Sequence, residues 1–140
     1  WGKNISYSSK DRIKKYYGTI TGKGATTQKH SFFYEKTALD IFLMAMSVGK
    51  DLGKLIPITG GKSSNIPKTA LKDETLWAMI SVVLSTEGSN LDTLKDGSEI
   101  YRICEGYANG GIETVIDWDE TGETGNLIKR FEEKFESYLG

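Results

Sequence analysis

The side chains equipped for chemistry are few and scattered in this 140-residue chain. His30 and Cys104 are the single histidine and the single cysteine. They could supply an imidazole base and a thiolate nucleophile, or at most half the ligands of a zinc site. Cys104 falls on the apolar side of a helical pattern beside Ile100 and Tyr107, where a free cysteine behaves as a small hydrophobe. Glu105, Glu113 and Asp117 are the carboxylates an acid–base pair would draw on, but such a pair needs a pocket that the pattern does not place. Gly60-Gly61-Lys62-Ser63 resembles the end of a phosphate loop. Ile56 stands where that pattern needs its first glycine, and Asn65 and Pro67 prolong a loop where a helix must start. Gly60, Gly61 and Lys62 can still lie against an anion. Asp117, Asp119, Thr121 and Gly122 occupy offsets 1, 3, 5 and 6 of a calcium loop, yet its twelfth position is Ile128 instead of a bidentate glutamate. The residues therefore name no catalytic group, no metal site and no cofactor.

Charge is more informative. The chain has a net charge of −1, but residues 1–72 carry thirteen Lys/Arg against four acids and residues 73–140 carry five against fifteen. Polarity of this kind suggests a polyanion at one end, unless the halves pack together and neutralise each other. In the basic half, Lys10, Arg12, Lys14, Lys15, Lys23 and Lys29 alternate with tyrosines. Cations can neutralise a phosphate backbone while rings stack on exposed bases. The plainer alternative is a solvated N-terminal arm.

These groups need elements to hold them. Ser8 or Ser9 can cap a short helix over 10–17, and 19–29 reads as a loop or hairpin with Gly22 and Gly24 at its turns. A strong helix is expected over 31–53, capped by Ser31 and ended by Gly49 or Gly53, with Leu39, Phe42, Leu43 and Met46 as its core stripe. Residues 55–58 read as extended and 59–67 as loop. Asp73 caps a helix to Glu87 whose buried face is Leu76, Met79, Ile80, Val83 and Leu84, with Trp77 finishing the core or rimming a groove. Over 98–118, two short helices are expected to meet at Asn109-Gly110-Gly111, since Asn and Gly end helices readily. Missing side chains there also let another backbone come close. An acidic loop over 117–125 and an amphipathic helix over 126–139 close the chain.

The expected fold is thus mainly α: one domain over 1–140, a bundle of five or six helices with one short hairpin in the first third, divided into a basic arm (1–30) and a helical core (31–140). A lone cysteine excludes an internal disulfide framework and fits a reducing compartment, so cytoplasm is the expected location. No apolar run is long enough to span a bilayer. The sequence opens on Trp1 instead of Met, as a trimmed or partial chain would.

At Ile103–Ile112, ICEGYANGGI, the chain resembles the small accessory proteins associated with DNA phosphorothioation (Dnd) systems. The matching positions are Glu105, Tyr107, Ala108, Asn109, Gly110, Gly111 and Ile112, with Gly106 where that family has an acidic residue. The upstream helix ALDIFLMAMSVG, followed by a basic stretch and LIPI, resembles the family's N-terminal half, so the likeness spans about residues 36–118. It implies an accessory role, with no reaction of its own, beside DNA modification or antiviral defence. It transfers Glu105, Tyr107, Asn109, Gly110 and Gly111 as a motif for partner contact.

Three readings follow. The first is a non-enzymatic accessory protein whose basic half meets DNA and whose acidic half meets another protein of the modification or restriction system, or a second copy. The next is a protein–protein adaptor without DNA contact, and the third a small carboxylate-dependent hydrolase or nuclease.

Overall fold

Apolar stripes at helical spacing and one short alternating run account for the elements. A computed structural model of the chain describes residues 4–19, 37–86, 92, 95, 97–121, 133 and 136. Their order is β1 (Asn4–Ser8), α1 (Asp11–Thr19), α2 (Ala38–Leu52), β2 (Lys62–Pro67), a 3-10 turn (Lys68–Ala70), α3 (Asp73–Leu84) and α4 (Gly97–Glu120). The mainly helical class expected from the sequence is what forms, with four α-helices among the described residues instead of five or six.

The largest correction concerns α4. No break occurs at Asn109-Gly110-Gly111: one helix of 24 residues runs through all three. Glycine inside a helix costs about 1 kcal/mol relative to alanine, so close packing must offset it. A Cβ on Gly111 would overlap the carbonyl oxygen of Ala45 and crowd the Gly49 amide, and a Cβ on Gly49 would overlap the Tyr107 carbonyl oxygen. A Cβ on Gly110 would strike the carbonyl of Lys54. Backbone approach, which glycine permits, is used here; chain reversal is not. Helix α4 also absorbs Asp117–Glu120, the first part of the expected acidic loop.

Helix α2 begins later than expected. Thr37, not Ser31, caps it: the Asp40 amide donates to Thr37 Oγ1 at 3.2 Å and the Thr37 amide donates to Asp40 Oδ2 at 2.8 Å. Gly53 ends it at φ 69°, a left-handed conformation that satisfies the last carbonyls. Its buried residues run unbroken from Ile41 to Gly49, a wider apolar surface than the stripe alone predicts. A helix apolar on nearly all sides is one enclosed by neighbours.

In α3, Asp73 lies in the first turn, Lys72 holds the cap position without a side-chain bond, and the helix stops at Ser85, short of Glu87. Its buried face is Ala78, Met79, Val82 and Val83, rotated from the predicted one, so Trp77 and Leu84 are exposed.

Residues 4–19 of the expected arm are built into the core. Ile5 and Tyr7, at alternate positions of β1, are buried with Ile13, Tyr16 and Tyr17 of α1. The rings of Tyr7 and Tyr17 stack with centroids 4.0 Å apart. β1 pairs antiparallel with β2, a segment predicted as loop, in the register Asn4–Pro67, Ile5–Ile66, Tyr7–Ser63 and Ser8–Lys62, with a bulge between Ile5 and Tyr7. Apart from Thr19, the hairpin expected over 19–29 lies outside the described residues. Of the closing helix over 126–139, Glu133 and Glu136 are described, both helical and exposed.

Candidate functional site

The motif at 105–111 is the junction on which three parts of the chain meet. Glu105 is buried, and its Oε2 accepts from the Ser6 amide at 2.7 Å. The bulge in β1 spans Ser6 and frees that amide from regular pairing. Burial pushes the Glu105 carboxyl pKa up, partly offset by the Ser6 hydrogen bond and by the charges of Lys62 and Lys68. Lys68 stands 3.9 Å from the centroid of the Tyr101 ring, one helical turn before Glu105. Desolvation lowers the Lys68 pKa, with the Glu105 charge opposing the shift.

Tyr107 faces the other way. The Thr86 hydroxyl donates its proton to the Val82 carbonyl at 2.8 Å, which leaves the Tyr107 hydroxyl as donor to Thr86 Oγ1 at 3.0 Å. Lys50 Nζ lies 5.2 Å from the centroid of the Tyr107 ring and donates to the Ser85 carbonyl at 3.0 Å, tying the end of α2 to the end of α3. Asn109 Nδ2 donates to the Ile56 carbonyl at 3.0 Å, and the Ile56 amide donates to the Gly106 carbonyl at 3.1 Å. The extended segment 54–56 thus lies along the row of Gly106 and Gly110, where side chains would collide with Leu55 and Lys54. Leu55 and Ile56 thus pack on Gly106 and Asn109 of α4.

Lys10, just before α1, and the basic residues of α1 divide in two. Lys10, Lys14 and Lys15 are exposed. Arg12 turns to α4 and pairs with Asp117 at 2.6 Å and with Glu120 at 3.8 Å, an arrangement that raises its already high pKa. Next to it the Tyr16 hydroxyl donates to the buried Asp119 Oδ2 at 2.5 Å. Lys23 and Lys29, the other two expected nucleic-acid contacts, lie outside the described residues.

The carboxylates weighed for acid–base work are held apart by environment. Glu105 is enclosed against β1, whereas Glu113 is exposed and Asp117 is engaged by Arg12. Cys104 is fully buried with its thiol toward the Met79 carbonyl, and burial pushes its pKa far up, so the reactive thiolate is suppressed. Among the described residues, no three His, Cys, Asp or Glu side chains converge as metal ligands would. No helix among them is long and apolar enough to cross a membrane.

Sequence reasoning missed β1 and its pairing with β2. The alternation of Ile5 and Tyr7 was the available signal, though β2 offers only Ile66 as a buried apolar partner. No protein family, curated protein or solved structure matches the chain.

Proposed function

We propose that the chain is a non-enzymatic accessory protein of a DNA-modification-linked, phosphorothioation-type defence system. It meets DNA through its basic first half, and a protein partner or a second copy through its acidic second half. The observation that carries the DNA contact is the exposure of Lys10, just before α1, and of Lys14 and Lys15 on α1, a helix whose apolar side is buried. Exposed ammonium groups on a fixed helix can displace the counterions of a phosphate backbone without reorganising the protein. The likeness at ICEGYANGGI supports the choice of system. The test is affinity for a labelled duplex as a function of salt. Log affinity should fall with log salt by about 0.9 per phosphate contacted, and Lys14→Glu with Lys15→Glu should weaken binding to every sequence alike. Binding unchanged by that double reversal would refute the DNA contact.

The Arg12–Asp117 pair favours a second reading, an adaptor without DNA contact in which the two halves neutralise one another. Co-purification with a neighbouring protein that survives nuclease treatment, together with no measurable duplex affinity, would select it.

A further inference from the structure

Two polar segments far apart in sequence close on each other at one corner of the fold. Ser8-Ser9-Lys10 ends β1 and Gly60-Gly61-Lys62-Ser63 begins β2. Ser8 lies opposite Lys62 in the antiparallel register, and the Ser9 amide donates to the Gly61 carbonyl at 3.0 Å. The Ser9 hydroxyl occupies the space that a side chain on Gly61 would need. Gly60, at φ 79°, makes the turn and leaves its backbone uncovered. The register sets Lys62 opposite Ser8, two residues before Lys10, and Lys14 stands one helical turn further on, its amide donating to the Lys10 carbonyl at 2.8 Å.

All three lysines are exposed, and none has an ion pair with a described residue. Among the described residues, Asp11 is exposed in the first turn of α1, and Glu105, buried below, accepts from Ser6 and feels the charge of Lys62. Asp11 already faces the positive pole of α1, so the attraction of this corner for an anion comes from its lysines and not from a helix end.

We infer that Lys10, Lys14 and Lys62, set around the Ser9–Gly61 turn, form a binding site for successive phosphodiesters of a duplex backbone. The inference rests on the DNA reading above and redraws its contact set: Lys62 joins Lys10 and Lys14, Lys15 is left out, and Arg12 stays with its acidic partners on α4. Lys10 and Lys14 are separated by about 6 Å of helix axis, a length over which each strand of duplex DNA presents roughly two phosphate charges. Three long, flexible, unwalled cations suit a run of charges better than one enclosed phosphate group, which needs converging donors on several sides.

The experiment measures binding of a fluorescein-labelled duplex by anisotropy across a fourfold range of salt. It compares the wild-type chain, Arg12→Gln, and the triple variant Lys10→Gln, Lys14→Gln, Lys62→Gln, each checked for folding by circular dichroism. Removing three contacts should lower the salt slope by about 2.7, so the fourfold-salt loss of affinity shrinks by about 40-fold in the triple variant. Arg12→Gln should keep the wild-type slope. A wild-type slope in the triple variant overturns the site and leaves the DNA reading standing on other residues. Absence of duplex binding by the wild-type chain overturns both. A competition arm with inorganic phosphate should displace the duplex only as any salt of equal ionic strength does; displacement at far lower concentration would reveal a single-phosphate site and overturn the backbone assignment.

Discussion

Gly111 of α4 lies directly on Gly49 of α2, with no side chain between the two helix backbones. Glycines that weaken a helix locally here allow two long helices to approach more closely than any other residue would permit. Most of the core is organised around that crossing: the buried run 41–49 on one side, and Ile103, Cys104, Ala108, Ile112 and Val115 on the other.

Adding one methyl group at the crossing should therefore be costly. Gly111→Ala and Gly49→Ala are each expected to destabilise the fold by about 1–3 kcal/mol or more, because backbone atoms must move to admit a Cβ. Gly97→Ala, where open space surrounds the new atom, is the control and should be neutral or slightly stabilising. Urea midpoints of the three variants decide the matter; equal midpoints would mean the crossing is looser than described.

Glu105 should make stability depend on pH in a defined direction. Its carboxyl is more easily protonated in the folded chain than in the unfolded one, since burial is the largest influence on it. Such a group contributes its stability below the unfolded pKa and loses it as pH rises through the folded pKa. Glu105→Gln keeps an acceptor for the Ser6 amide and carries no charge. The wild type should accordingly gain stability relative to this variant as pH falls from about 7 toward about 4. Midpoints that stay parallel over that range would contradict the shift.

Tyr16→Phe removes the donor to Asp119 and leaves the ring in place. A cost of roughly 1–3 kcal/mol is expected, as for other buried bonds to a charged group. Arg12→Ala, by contrast, breaks a pair whose side chains are 46% and 62% exposed, and should cost less than about 1 kcal/mol, diminishing with salt. Denaturation at two ionic strengths separates the two contacts.

Cys104 should be silent toward thiol reagents in the native state. The buried thiol lies at the α3–α4 contact and its ionisation is strongly suppressed. Labelling with a disulfide reagent should proceed only at the rate of unfolding and become immediate in denaturant. Rapid native labelling would place the thiol elsewhere.

Much of this was legible in the residues, and the gaps have physical causes. The stripe Leu39, Phe42, Leu43, Met46 announced α2, and Cys104 was recognisable as core, because helical periodicity is read directly from spacing. Asn109-Gly110-Gly111 was misread as a break. Its true setting depends on Ala45, Gly49 and Lys54, so local preference gave way to packing that spacing along one segment cannot reveal. β1 was hidden because five residues with two apolar positions carry little pattern, and its partner strand shows only one. Glu105 and Asn109 were singled out as motif residues, but their partners, Ser6 and Ile56, lie 99 and 53 residues away.

That separation bears on synthesis. The first strand and helix leave the ribosome long before their receiving groups, since Glu105 follows Ser6 by 99 residues and Asp119 follows Tyr16 by 103. At ordinary translation rates the delay is roughly 5–20 s. Over that interval the sides of Ile5, Tyr7, Ile13, Tyr16 and Tyr17 destined for α4 have no α4 to cover them. Apolar surface exposed in this way favours aggregation, and this part of the core closes only when α4 arrives.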